Sequence, residues 1–140
     1  MISAIEKVLF LKGVDLFSQI PGEDLAQVAQ IAEEIYFEQG QQIIKQGDVG
    51  DCLYLIIEGE VQVSADDKLI ARLGEKECVG EMSILDAEPR SASVFAISDV
   101  ILLRIQQEDF YEMISERPEI AQGVIKVLTR RLRGYHSTER

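Results

Sequence analysis

The apolar positions of this chain change period twice. Ile2, Ile5, Val8 and Leu9 recur at helical spacing, which predicts a first helix over residues 2–10, ended by Gly13. After Ile20-Pro21-Gly22, the positions Leu25, Val28, Ala29, Ile31 and Ala32 predict a second amphipathic helix. Glu23 and Asp24 then fall in its first turn, where negative charge suits the helix dipole. Both helices are expected to pack on something. From Ile35 the helical period is lost, and short apolar runs follow at 35–37, 42–45, 52–58, 60–65, 69–73 and 77–79, punctuated by glycine at 40, 47, 50, 59, 74 and 80. Many short strands with turn signals predict a sandwich or barrel. Gly47-Asp48-Val49-Gly50-Asp51 reads as a tight turn, Glu58-Gly59-Glu60 as a sharp bend and Asp66-Asp67 as a hairpin. Residues 93–97 and 100–105 close the β region. Phe110, Met113 and Ile114 then give residues 107–115 a helical face, which Arg117-Pro118 breaks. Pro118 suits the first turn of a last helix, in which Ile120, Val124, Val127, Leu128 and Leu132 recur.

Between the strands lies a stretch with chemistry of its own, GEMSILDAEPRSASV at residues 80–94. Gly80 lets backbone and ligand come close because it has no Cβ. Glu81 to Leu85 reads as one helical turn, whose first N–H groups lack internal partners and can donate to an anion. Pro89 cannot continue that helix, so the chain reverses near Asp86-Ala87-Glu88 and delivers Arg90, a fixed fork of donors suited to phosphate or carboxylate. Ser91 adds a hydroxyl. A carboxylate beside an anion site is explained if Glu81 accepts from a neutral hydroxyl on the same ligand. Phosphate and hydroxyl on one ligand suggest a nucleotide.

The pattern G-E-x-[small]-aliphatic-aliphatic followed by P-R-x-A-[ST]-V, with nine residues from Glu81 to Arg90, resembles the phosphate-binding cassette of cyclic nucleotide-binding domains. The resemblance implies a double-stranded β-helix, or jelly-roll barrel, with N-terminal helices (1–34), a barrel (35–106) carrying the cassette, and C-terminal lid helices (107–134), all one domain. It implies that Arg90 meets a cyclic phosphate and Glu81 a ribose 2′-OH, with Gly80, Met82, Ser83, Ser91 and Ala92 completing the site. The base would be capped from the last helix by Leu128, Arg131, Leu132 or Tyr135. Two positions depart from the pattern: Ser83 stands where many members carry alanine, and Cys78-Val79 precede Gly80 where an aromatic is frequent. Ser91 leans toward cyclic AMP over cyclic GMP. Leu16-Phe17, Gly40, Gln46-Gly47-Asp48, Gly50 to Tyr54, Glu58 to Val61 and Asp109-Phe110 also match the family and are assigned to fold, with no ligand contact.

Charge and composition narrow the partners. The net −11 divides into +4 over residues 126–140, where five basic residues face Glu139, and −15 over the rest. So acidic a body argues against nucleic-acid binding by this chain alone. Cys52 and Cys78 lie in apolar runs and are expected as buried, reduced thiols. No run of 18 apolar residues and no signal-peptide pattern occurs, so a soluble, cytoplasmic protein is expected. The acidic Gly47–Asp51 loop lacks the ligand run and terminal glutamate of an EF-hand, so no metal is expected. His136 is the only histidine and sits near the end of the chain, which argues against metal-dependent barrel chemistry and against His-assisted nucleophiles. A glutamate facing Arg90 stays ionised and is a poor proton donor. A non-enzymatic binding module is expected, and a degenerate scaffold without nucleotide affinity is the alternative. With no helix-turn-helix pattern and no kinase signature, the chain is expected to be a fragment of a larger protein or to signal through a partner.

Overall fold

The structure is a computed structural model that describes residues 2–84, 86 and 88–139, with the side chains of Met82 and residues 135–139 outside that description. It comprises two compact units: a β unit over 31–110 and a helical unit formed by 2–30 and 111–140.

The β unit contains eight strands in chain order: β1 (Glu33–Phe37), β2 (Gln42–Ile44), β3 (Cys52–Glu58), β4 (Val61–Ala65), β5 (Lys68–Leu73), β6 (Cys78–Val79), β7 (Ser93–Ala96) and β8 (Val100–Gln106). They form two four-stranded antiparallel sheets, ordered β1-β8-β3-β6 and β2-β7-β4-β5. This is the expected mainly-β jelly-roll architecture. Because side chains alternate across a strand, Cys52, Tyr54 and Ile56 of β3 join Val61, Val94, Ala96, Val100 and Leu102 in one buried cluster. Leu53 and Leu55 point the other way and are also fully buried. Burial on both faces is why β3 reads as an unbroken apolar run. The hairpin at Asp66-Asp67 has φ of 52° and 62°, and Ala65 pairs with Lys68, the two-residue turn whose twist matches antiparallel strands.

Strand bounds differ from the periodicity where the backbone is already committed. Glu33 pairs with Arg104, so β1 opens two residues before Ile35. The Glu77 N–H is taken by the Gly74 carbonyl at 3.1 Å, and Lys76 has φ 73°, so β6 begins at Cys78, although the Glu77 carbonyl accepts from the Ile56 N–H at 3.0 Å and the Lys76 N–H donates to the Ile56 carbonyl at 2.8 Å.

In the helical unit, α1 (Ala4–Lys12) starts later than apolar spacing suggests. Ser3 caps it: its hydroxyl accepts from the Glu6 N–H at 3.1 Å while the Glu6 carboxylate accepts from the Ser3 N–H at 3.2 Å. The expected packing face of α1 is not a core face. Leu11 is its buried residue, whereas Ile5 and Leu9 are exposed and, with Ile2 and Val8, border an open groove against Ala26, Ala29 and Gln30. In α2 (Gly22–Ile31), Leu25, Val28 and Ala29 are buried as expected. Asp24, also buried, accepts from Arg117 Nη1 at 3.0 Å, so it anchors a side chain besides complementing the dipole. Helix α3 (Gln107–Glu116) starts in the β unit and runs into the helical one. Helix α4 (Pro118–Glu139) buries Ile120, Val124 and Val127, while Leu132 is exposed.

Candidate functional site

Residues 80–94 fold back on themselves around a cavity of about 480 Å³. Gly80, Glu81, Ser83, Arg90, Ser91 and Ala92 all line it, so six of the seven residues expected at the ligand share one space. The seventh, Met82, lies in the same turn, and its side chain is outside the described residues. Ile44, Val63, Leu73 and Val94 supply an apolar wall, the complement a flat base or sugar face needs. All lining residues belong to the β unit.

Arg90 is held on every side. Its Nη1 donates to Ser83 Oγ at 2.9 Å and its Nη2 to the Cys52 carbonyl at 2.8 Å, with Cys52 Sγ at 3.6 Å. Its backbone N–H donates to the Asp48 carbonyl at 2.7 Å, and its own carbonyl accepts from the Gly47 N–H at 2.9 Å. The Gly50 N–H reaches the Glu88 carbonyl at 3.2 Å, and Val49 bridges Pro89. The Gly47–Asp51 loop is therefore more than a turn between strands: it clamps the Arg90 limb.

Two glycines leave room for the guanidinium. A Cβ on Gly50 would overlap Arg90 Nε and Cζ and lie 2.6 Å from Cδ; one on Gly80 would overlap Nη1 and lie 3.1 Å from the Cys52 carbonyl. Gly80 also has φ +76°, which disfavours a side chain independently. The close approach that Gly80 permits is made by Arg90 of this chain. Gly50 and Cys52, assigned to fold alone, are positioning residues of the site. The GxxGxC spacing of residues 47–52 gives no sign of this, because one contribution is an absent Cβ and the other a backbone carbonyl.

The turn after Gly80 also differs from expectation. Glu81–Ile84 is a 3₁₀ turn, and the Ser83 N–H is already donated to the Gly80 carbonyl at 3.0 Å. Tighter i→i+3 closure uses a donor that an α-helical start would leave open, so the side chains of Arg90 and Ser83 carry more of the site than backbone N–H groups alone. Leu85 and Ala87 lie outside the described residues. Gln107 Nε2 donates to the Ser83 carbonyl at 3.2 Å, tying the turn to the start of α3.

Both cysteines are free thiols. Cys52 is buried, but Cys78 is only half-buried and lines the cavity, which corrects the expectation that both are buried. It sits on β6, the two-residue strand at the edge of its sheet. Behind Cys52, burial and then its hydrogen bond push the Tyr54 phenol up to about 12, so Tyr54 is neutral at physiological pH. Arg104, opposite Tyr54 in the register, donates to Glu33 at 2.9 Å and holds that carboxyl below its usual range through the hydrogen bond.

The candidate base-capping residues belong to α4 and the helical unit. Leu128 is half-buried, Leu132 is exposed, and Arg131 donates to Asp15 Oδ2 at 3.0 Å. The side chain of Tyr135 lies outside the described residues, as does that of His136.

Comparison with known proteins decides the family: residues 34–117 match the cyclic nucleotide-binding domain. The chain belongs to that family. It is 35% identical over 128 residues to a cyclic AMP receptor protein of Thermus thermophilus, covering 88% of this chain and 59% of that one. It is 33% identical over 121 residues to a cyclic nucleotide-gated potassium channel of Rhizobium etli, covering 86% of this chain and 34% of the channel. Among solved structures, the N-terminal domain of a transcriptional regulator from Streptomyces coelicolor superposes with a TM-score of 0.86 at 29% identity, covering 94% of this chain and 95% of that one. The chain thus spans less than two thirds of the length of these two relatives. As a cyclic nucleotide-binding domain it shares its fold with regulators, and the cassette identified from sequence is the part that encloses the cavity.

Proposed function

We propose that this cyclic nucleotide-binding domain takes a 3′,5′-cyclic purine nucleotide, cyclic AMP in preference to cyclic GMP, and is non-catalytic. The observation that carries the reading is the juxtaposition of the Arg90 fork with Glu81 in one apolar-walled cavity. In this reading Arg90 meets the cyclic phosphate, Glu81 accepts from the ribose 2′-OH, Gly80, Met82, Ser83 and Ala92 contribute backbone or small-residue contacts, and Ser91 adds a hydroxyl beside Arg90. Ser91 and the likeness to a protein named as a cyclic AMP receptor support the choice of base. Leu128, Arg131, Leu132 or Tyr135 caps the base, and movement of the C-terminal helices carries the signal to an output domain or partner. Residues 1–140 act as one domain, in the cytoplasm. Among the described residues no helix is long and apolar enough to cross a membrane.

The test compares ribo and 2′-deoxy forms of cyclic AMP. If Glu81 accepts from the 2′-OH, the deoxy ligand removes a hydrogen bond to a charged acceptor, worth about 1.5–3 kcal/mol. The deoxy form should then bind the parent at least about tenfold more weakly. Glu81→Gln should shrink that gap, since a neutral amide accepts more weakly from the hydroxyl than a carboxylate; the coupling between residue and hydroxyl is the quantity measured. Equal ribo-to-deoxy ratios in parent and mutant would assign Glu81 to the turn alone. No binding of either nucleotide would favour the scaffold alternative.

A further inference from the structure

A guanidinium offers five donors in a rigid fork, and what it offers an anion depends on where the fork points before the anion arrives. In this chain the two arms have different anchors. Nη2 is anchored by the Cys52 carbonyl, which any residue at that position would supply. Nη1 is anchored by Ser83 Oγ, a side-chain acceptor that exists only because residue 83 is serine. Ser83 is itself fixed: it is 7% exposed, its N–H donates to Gly80, and its carbonyl accepts from Gln107. A hydroxyl on backbone pinned from both sides is a stationary acceptor.

We propose that Ser83 is a positioning residue for Arg90, its hydroxyl holding one arm of the fork so that the remaining N–H groups face the anion. This rests on the reading that the cavity takes the phosphate of a cyclic nucleotide. Without Oγ, the fork keeps its Cys52 end and turns about it. The freedom then lost on binding is a cost that the serine removes in advance.

The experiment titrates cyclic AMP into the parent, Ser83→Ala, Arg90→Ala and the double variant. Ser83→Ala should weaken binding about five- to tenfold, the scale of one hydrogen bond to a charged group discounted for partial retention of the fork. In the Arg90→Ala background the same substitution should change affinity by less than about twofold, because there is no fork left to position. A purely structural serine predicts the same loss in both backgrounds, and that outcome overturns the proposal. A parent that binds cyclic AMP while Ser83→Ala binds equally well overturns the proposal and leaves the proposed function standing. A parent that binds no cyclic nucleotide overturns both.

Discussion

Arg90→Ala is expected to lower affinity for cyclic AMP by more than about thirtyfold, the consequence of losing a charge-assisted, bidentate contact worth on the order of 2–5 kcal/mol in a sheltered site. Its effect on folding is smaller and separate. Removal strips Ser83 Oγ and the Cys52 carbonyl of a donor, and buried acceptors left bare cost about 1–3 kcal/mol each before water enters the vacated space. The variant should therefore fold with a lowered Tm. Arg72→Ala is the charge-matched control: Arg72 is exposed on β5 and does not line the cavity, so affinity should stay at the parent value. Arg90→Lys should recover only part of the loss, since one ammonium can face the anion or Ser83 but lacks the fork that serves both. Titration calorimetry reads all four proteins. Equal affinity of a folded Arg90→Ala and the parent would remove Arg90 from the phosphate.

Gly50→Ala should approach the same loss of affinity without touching the arginine. Its Cβ would occupy the space of Arg90 Nε and Cζ. Gly50 is not among the positive-φ glycines, so the backbone accepts alanine, and the group that yields is a flexible side chain. Displacing the guanidinium also withdraws its donors from Ser83 Oγ and the Cys52 carbonyl. Affinity is expected to drop more than about tenfold, approaching the value for the missing bidentate contact, with a Tm lowered no further than that of Arg90→Ala. Gly80→Ala provides the contrast, because its positive φ adds backbone strain to the same overlap and should lower stability together with binding. A Gly50→Ala protein that binds like the parent would mean the guanidinium does not rest between these two glycines.

Legibility in the sequence follows the kind of contact involved. The strands were readable because alternation and glycine punctuation are local: residues 52–58 and the Asp66-Asp67 turn emerge where the pattern puts them. That Arg90 and Glu81 line one cavity was readable because their spacing lies within one cassette. Gly50 and Cys52 were not, since a missing Cβ and a main-chain carbonyl about forty residues away act on Arg90 only once β3 is paired and the Gly47–Asp51 loop closes. Ser83 shows an intermediate case. Its size fitted the pattern, but the direction of its hydroxyl depended on the 3₁₀ turn, which periodicity does not distinguish from an α-helical one. On α1, helical spacing identified the element but not the environment, and Ile5 and Leu9 face out of it.

The central claim is that the cavity between Glu81 and Arg90 is a cyclic nucleotide site. Isothermal titration of the parent chain with cyclic AMP tests it most directly. The predicted result is saturable binding at one nucleotide per chain, weaker with cyclic GMP; no heat and no saturation with either nucleotide at millimolar concentration would contradict it.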